Sequence, residues 1–172
     1  MIKVVIYHDY PENLIEKLRK AYKKECEFIV CKDIKQMNQE IKDAEVYIGF
    51  KCDRNIINGG KNLKWVQLLS AGVESVPFAE IKSREIILTN GKGIHKIHMA
   101  EYAIASMIMC ARSFHRMILN QAEGKWERSV PQREINGATL GILGLGSIGI
   151  AIAKRANFFG MKVLAIKNRN EV

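Results

Sequence analysis

The sequence predicts an α/β protein: a doubly wound parallel sheet, followed by one further strand–helix–strand unit. Three observations carry this. Short apolar runs alternate with amphipathic, helix-length stretches through the first ninety residues. A run at 97–120 with an apolar centre follows. Beyond it, Gly144, Gly146 and Gly149 stand between an apolar run and a helical pattern.

Strands are expected at 3–7, 27–31, 45–50, 64–69 and 86–89. Between the first two, Leu14, Leu18, Ala21 and Tyr22 recur at helical spacing. Asp9, three residues before Glu12, and Pro11 near the first helical position mark the helix start. Lys17, Arg19, Lys20, Lys23 and Lys24 then make its solvated face. Five strands separated by helix-length segments complete a small doubly wound domain. One helix is expected over 97–120. Its centre, 102–111, is apolar nearly all round and must be covered by another domain or another subunit. Residues 121–137 turn polar, with Gly124, Pro131 and Gly137, and read as a linker. A strand from 138, a helix over 150–159 and a strand over 161–166 follow. Two strands and one helix are too few for a stable sheet alone.

Composition narrows the class. There are 27 Lys and Arg against 18 Asp and Glu, a net charge of +9 that favours anionic partners. The basic residues are spread along the chain without interleaved aromatics, so nucleic acid is not expected as a partner. Four cysteines, Cys26, Cys31, Cys52 and Cys110, lack metal-ligand spacing, and no metal is expected. Cys26 and Cys31 would point to opposite faces of one strand and could not easily pair, so free thiols in a reducing compartment are expected. The N-terminus has no signal-peptide cleavage pattern. The uncharged run 135–153 has the length of a membrane span but holds five glycines, whose spacing has another explanation. A soluble, cytoplasmic protein is expected.

That explanation is dinucleotide binding. Gly144, Gly146 and Gly149 follow a strand and open a helix, and each has a physical task. Gly144 permits a tight turn, Gly146 lets the backbone approach a pyrophosphate, and Gly149 lets the helix pack closely on the strand. The helix start, with Ser147 and Ile148, offers unpaired N–H groups and a positive dipole end to phosphate. The plainer alternative is a packing turn without ligand. The following strand ends at Lys167-Asn168-Arg169, where a carboxylate that accepts from the ribose hydroxyls would favour NAD. Lys and Arg would attract a 2′-phosphate, so NADP is favoured over NAD, unless these are ordinary charged residues after a strand.

Taken together, these motifs resemble the D-isomer-specific 2-hydroxyacid dehydrogenase family, nearest its glyoxylate/hydroxypyruvate reductase and phosphoglycerate dehydrogenase-like members. The segment 138–149, with 159–165, is similar to the family's cofactor segment. Leu68-Leu69-Ser70-Ala71-Gly72-Val73-Glu74 resembles its substrate loop, and 88–95 with 99–103 resembles the crossover into its long interdomain helix. Gly124-Lys125-Trp126 matches the stretch after that helix.

The resemblance implies a flavodoxin-like substrate domain over 1–96, an interdomain helix and linker over 97–137, and the start of a Rossmann NAD(P)-binding domain over 138–172. It implies that Ala71, Gly72 and Val73 give backbone N–H groups to a small 2-oxo or 2-hydroxy acid, unless the segment is simply a strand-to-helix turn. It also places Met99 near the cofactor, where a core methionine is the alternative reading. A homodimer through the 97–120 helix is implied as well, with Met107 near its centre. The family's catalytic Arg, Glu and His would fall beyond 172, so no catalytic residue is assigned; His95 and His98 do not fill that role. The leading expectation is therefore the N-terminal half of an NAD(P)-dependent oxidoreductase, inactive by itself. The alternative is a non-catalytic, dinucleotide-sensing assembly module resembling the corepressors that share this fold.

Overall fold

The computed structural model describes residues 1–167. The chain forms two compact units, Met1–Lys92 and Gly93–Val172. The first contains β1 (Ile2–Tyr7), α1 (Glu12–Ala21), β2 (Cys26–Val30), α2 (Ile34–Glu40), β3 (Val46–Gly49), α3 (Arg54–Gly59), β4 (Trp65–Leu68), α4 (Phe78–Ser83) and β5 (Ile87–Thr89). The five strands are parallel in the order β2-β1-β3-β4-β5, the expected doubly wound sheet. Each observed strand lies within two residues of its predicted bounds.

The alternation of side chains across a strand builds two cores. On one face Val5, Tyr47, Val66 and Leu68 pack with Met37 and Ile41 of α2, Ile56 and Ile57 of α3, and Ile81 of α4. Asp33 and Asp53 start α2 and α3 by accepting the Gln36 and Ile56 N–H groups at 2.8 and 3.0 Å. On the other face Val4, Ile6 and Val46 meet Ile15 of α1. The register carries that face on through Trp65 and Ile87, which stay exposed. Cys26 packs on the second face and buried Cys31 on the first; all four cysteines are free.

The expected start of α1 needs correction. Pro11 occupies the N-cap, and no side chain caps the helix, so Asp9 does not. The buried residue is Ile15, whereas Leu14, Leu18 and Tyr22 are exposed. Leu14, Leu18 and Ala21 border an open apolar cavity with Ile6, Ile48 and Leu69 rather than filling the core.

Tyr47 fixes one glycine. Its ring is fully buried and its hydroxyl donates to Lys51 O at 2.9 Å. A Cβ on Gly49, two residues along the same face, would fall 2.6 Å from Tyr47 Cζ. Gly49→Ala is therefore expected to destabilise the first unit by about 1–3 kcal/mol through overpacking, read as a lower thermal or urea midpoint.

The second unit contains α5 (Lys96–Ala111), α6 (Phe114–Ala122), β6 (Thr139–Leu143), α7 (Ser147–Phe158) and β7 (Lys162–Ile166). β6 and β7 form a two-stranded parallel sheet. Ile104, Met107 and Ile108 of α5 pack with Ala156 of α7, Met161, Leu140 and Val163. α5 therefore contributes to the core of the second unit.

The single helix expected over 97–120 is two. Ser113 adopts the left-handed region at φ 53°, which ends α5 and restarts the chain as α6. Its side chain, one of the few buried polar groups, donates from Oγ to Pro131 O at 2.5 Å. The Arg133 N–H reaches Ala111 O at 2.9 Å, so the loop after α6 returns to the break and satisfies it. The helix expected from residue 150 begins at Ser147, because extended Gly146 serves as its N-cap. Among the described residues no helix is long and apolar enough to cross a membrane.

Candidate functional site

Residues 69–73 leave the carboxyl end of β4, where open α/β sheets place their ligand-binding crevices. Ser70, Ala71 and Gly72 each have the backbone carbonyl engaged. The Gly91 N–H donates to Ser70 O at 2.9 Å, Asn90 Nδ2 to Ala71 O at 2.8 Å, and Ser70 Oγ to Gly72 O at 2.8 Å. Among the described hydrogen bonds none is donated by the N–H groups of Ala71, Gly72 or Val73. The loop therefore offers donors, the set that suits a carboxylate. Val73 anchors it on the first core. A Cβ on Gly72 would strike the Glu74 carboxylate, the mobile end of an exposed side chain. Gly72 has no left-handed φ, so backbone strain does not demand a glycine there.

The glycine turn lies in the second unit. Gly144 sits at φ +101°, a conformation that side chains rarely adopt. Around Gly146 nothing lies within 4 Å of a built Cβ, which leaves the approach to the backbone open. At Gly149 a Cβ would collide with Gly144 O and come within 3.2 Å of Ile142 Cγ2, so glycine alone lets α7 sit this close to β6. No side chain caps α7, and the Ile150 N–H is the one that turns back, to Gly146 O at 2.9 Å. The N–H groups of Ser147, Ile148 and Gly149 precede it in the first turn, beside the positive end of a 12-residue helix. The geometry thus has a left-handed turn at Gly144, open space at Gly146 and close helix packing at Gly149. The turn fits a dinucleotide pyrophosphate, which Gly144, Gly146, Ser147, Ile148 and Gly149 would hold.

The remaining candidates are less constrained. Lys167 directly follows β7. Asn168 and Arg169 lie outside the described residues. Met99 is in the first turn of α5 and half-exposed, so it is not the core residue of the alternative reading. His95 and His98 lie at the start of α5 and share a hydrogen bond of 3.2 Å. No group of three or more metal-ligating side chains occurs among the described residues. Asn90 was not among the sequence candidates. Its partner stands 19 residues earlier, and only the pairing of β4 with β5 brings the two together.

Comparison with known proteins agrees with this geometry. Residues 104–172 match the D-isomer specific 2-hydroxyacid dehydrogenase, NAD binding domain. A hydroxypyruvate reductase of Thermotoga maritima is 38% identical over 116 residues, covering 67% of this chain and 38% of that protein. A glyoxylate reductase of Thermococcus litoralis is 28% identical over 178 residues, covering 94% of this chain and 53% of its own length. The crystal structure of a D-isomer specific 2-hydroxyacid dehydrogenase family protein from Aeromonas salmonicida shares the fold, with a TM-score of 0.82 at 24% identity, over 99% of this chain and 56% of that one. The chain spans about half the length, or less, of the curated relatives it matches. With an α/β fold, a parallel sheet of five strands and this glycine turn, the chain is similar to the D-isomer specific 2-hydroxyacid dehydrogenases, whose NAD-binding domain its residues 104–172 match.

Proposed function

We propose that the chain supplies the substrate loop and the dinucleotide turn of an NAD(P)-dependent oxidoreductase that interconverts small 2-oxo acids, such as glyoxylate or hydroxypyruvate, and D-2-hydroxy acids. The observation that carries this is the Gly144–Gly149 turn against an uncapped α7, between two parallel strands. A bound nicotinamide would supply the hydride. The chain's own part is binding and orientation: the N–H groups of Ala71, Gly72 and Val73 would hold the substrate carboxylate, and Gly144, Gly146 and the first turn of α7 would hold the pyrophosphate. The four free cysteines support a reducing compartment, and the cytoplasm is the proposed one.

The family resemblance assigns the proton donor and the carboxylate-binding Arg to no position in 1–172. The 172 residues by themselves are therefore expected not to turn over, since a missing general acid costs roughly 10²–10⁴-fold. Glyoxylate or hydroxypyruvate with NADH or NADPH should give no consumption above buffer. Saturable turnover that disappears in His95→Ala would contradict this expectation.

The basic stretch Lys167, Asn168 and Arg169 supports NADP(H) over NAD(H) as the preferred cofactor. In a protein with the cofactor half restored, Arg169→Ala should weaken NADP(H) about ten- to a hundredfold, the scale of one charge-assisted hydrogen bond, and leave NAD(H) nearly unchanged. Equal losses for both cofactors would show that Arg169 does not read the 2′-phosphate.

A further inference from the structure

We infer that Asn90 is a positioning residue for the substrate loop: its side-chain amide holds the loop so that the N–H groups of residues 71–73 face a carboxylate. The inference rests on the reading of that loop given under Proposed function. β4 and β5 are parallel neighbours, with Gln67 beside Thr89, so the segments leaving their carboxyl ends run side by side. Asn90 is the first residue after β5. Its Nδ2 donates to Ala71 O at 2.8 Å, and its Oδ1 accepts the Lys92 N–H at 3.4 Å. In this orientation the amide serves the loop with its donor and the Lys92 N–H with its acceptor.

The three straps on the loop differ in kind. Gly91 N–H to Ser70 O is backbone to backbone, and Ser70 Oγ to Gly72 O lies within the loop itself. Asn90 provides the side chain that reaches across from the neighbouring strand to the central carbonyl of the three. An amide is the group this geometry requires. It donates to a carbonyl and accepts an N–H at once, which a carboxylate cannot do. With Ala71 O held toward β5, the peptide that follows it is oriented with its N–H, that of Gly72, turned away. Without the strap that peptide is free to rotate and to present its carbonyl, which would repel a carboxylate. The exposed Glu74 carboxylate beside Gly72 already opposes an anion there, so the loop needs its donors well aimed.

The test uses the 172-residue chain labelled with ¹⁵N and titrated with glyoxylate. The amide resonances of Gly72 and Val73 should shift saturably. Asn90→Ala should weaken glyoxylate about three- to tenfold, the equivalent of one neutral hydrogen bond, and lower the order parameters of 71–73. Its melting temperature should stay within about 4 °C of the parent. Asn90→Gln, which retains the donor one methylene further out, should recover part of the affinity. Glu74→Gln should tighten binding. Unchanged glyoxylate affinity and unchanged loop order in Asn90→Ala would overturn this inference alone. A weakening matched by a general loss of order or stability through the first unit would reduce Asn90 to a structural role and overturn it too. Absence of any shift at Gly72 and Val73 in the parent chain would overturn the reading of the loop, and this inference with it.

Discussion

Gly149→Ala is expected to cost the second unit both stability and dinucleotide binding, whereas Gly146→Ala is expected to cost binding alone. At Gly149 the obstacle is the backbone carbonyl of Gly144, which cannot swing aside as a flexible side chain would. To admit a methyl group, α7 must move away from β6, with Ile142 Cγ2 adding resistance at 3.2 Å. Overpacking of this kind costs about 1–3 kcal/mol. It also displaces the first-turn N–H groups of Ser147 and Ile148 from the position where they would meet phosphate. Gly146 has open space where a Cβ would stand and an ordinary negative φ. An alanine there fits the folded chain but fills room that a bound pyrophosphate would enter. Thermal melts and fluorescence titrations with NADH and NADPH on both variants decide the matter. The expected pattern is a lowered midpoint for Gly149→Ala, a parental midpoint for Gly146→Ala, and binding weakened about tenfold or more in both. Parental affinity in Gly146→Ala would remove the dinucleotide from this turn and leave a packing motif.

The contrast between these glycines shows why the turn could be read without coordinates. All of its constraints are local: a left-handed residue, an open approach and a close helix lie within six positions of one another. The strands were legible for a similar reason. Val4-Val5-Ile6 faces a core on each side of the sheet, so the run is continuously apolar, as a doubly covered parallel strand must be. The helix break at Ser113 was hidden, because a serine after an arginine carries no left-handed signal and its stabilising partner, Pro131 O, lies 18 residues later. The face of α1 was misplaced for a different reason. Leu14 and Leu18 keep helical spacing, but they lie at the rim of the contact while Ile15 points into the core. Asn90 belongs to the same hidden class as Ser113. A polar residue after a strand looks like the start of a turn, and its contact with Ala71 exists only through the β4–β5 register.

Met109→Asp is expected to loosen self-association without weakening the fold, and Met107→Asp to do the opposite. The two positions differ in what they face. Met107 packs toward Ala156 and Met161 in the second core, whereas Met109 is 40% exposed. Tyr102, seven residues before Met109 and so on the same stripe of α5, is 73% exposed. The same unit exposes Leu143 at 88% and Phe158 at 90%. Apolar surface of this extent on one small unit marks an interface or an aggregation hazard. Association through the 97–120 helix, the expectation from the sequence, would use this exposed stripe of α5. A charge on the exposed stripe must be desolvated in that contact, which should weaken association about tenfold or more and leave the melting temperature near the parent's. A charge at Met107 must instead be buried inside the unit, at a cost of about 2 kcal/mol or more, and should lower the melting temperature or abolish soluble expression. Light scattering over a concentration series, paired with thermal melts, separates the two. If the parent chain is a monodisperse 19.5 kDa monomer at the highest concentration, and Met109→Asp changes nothing, the exposed stripe of α5 is not an interface.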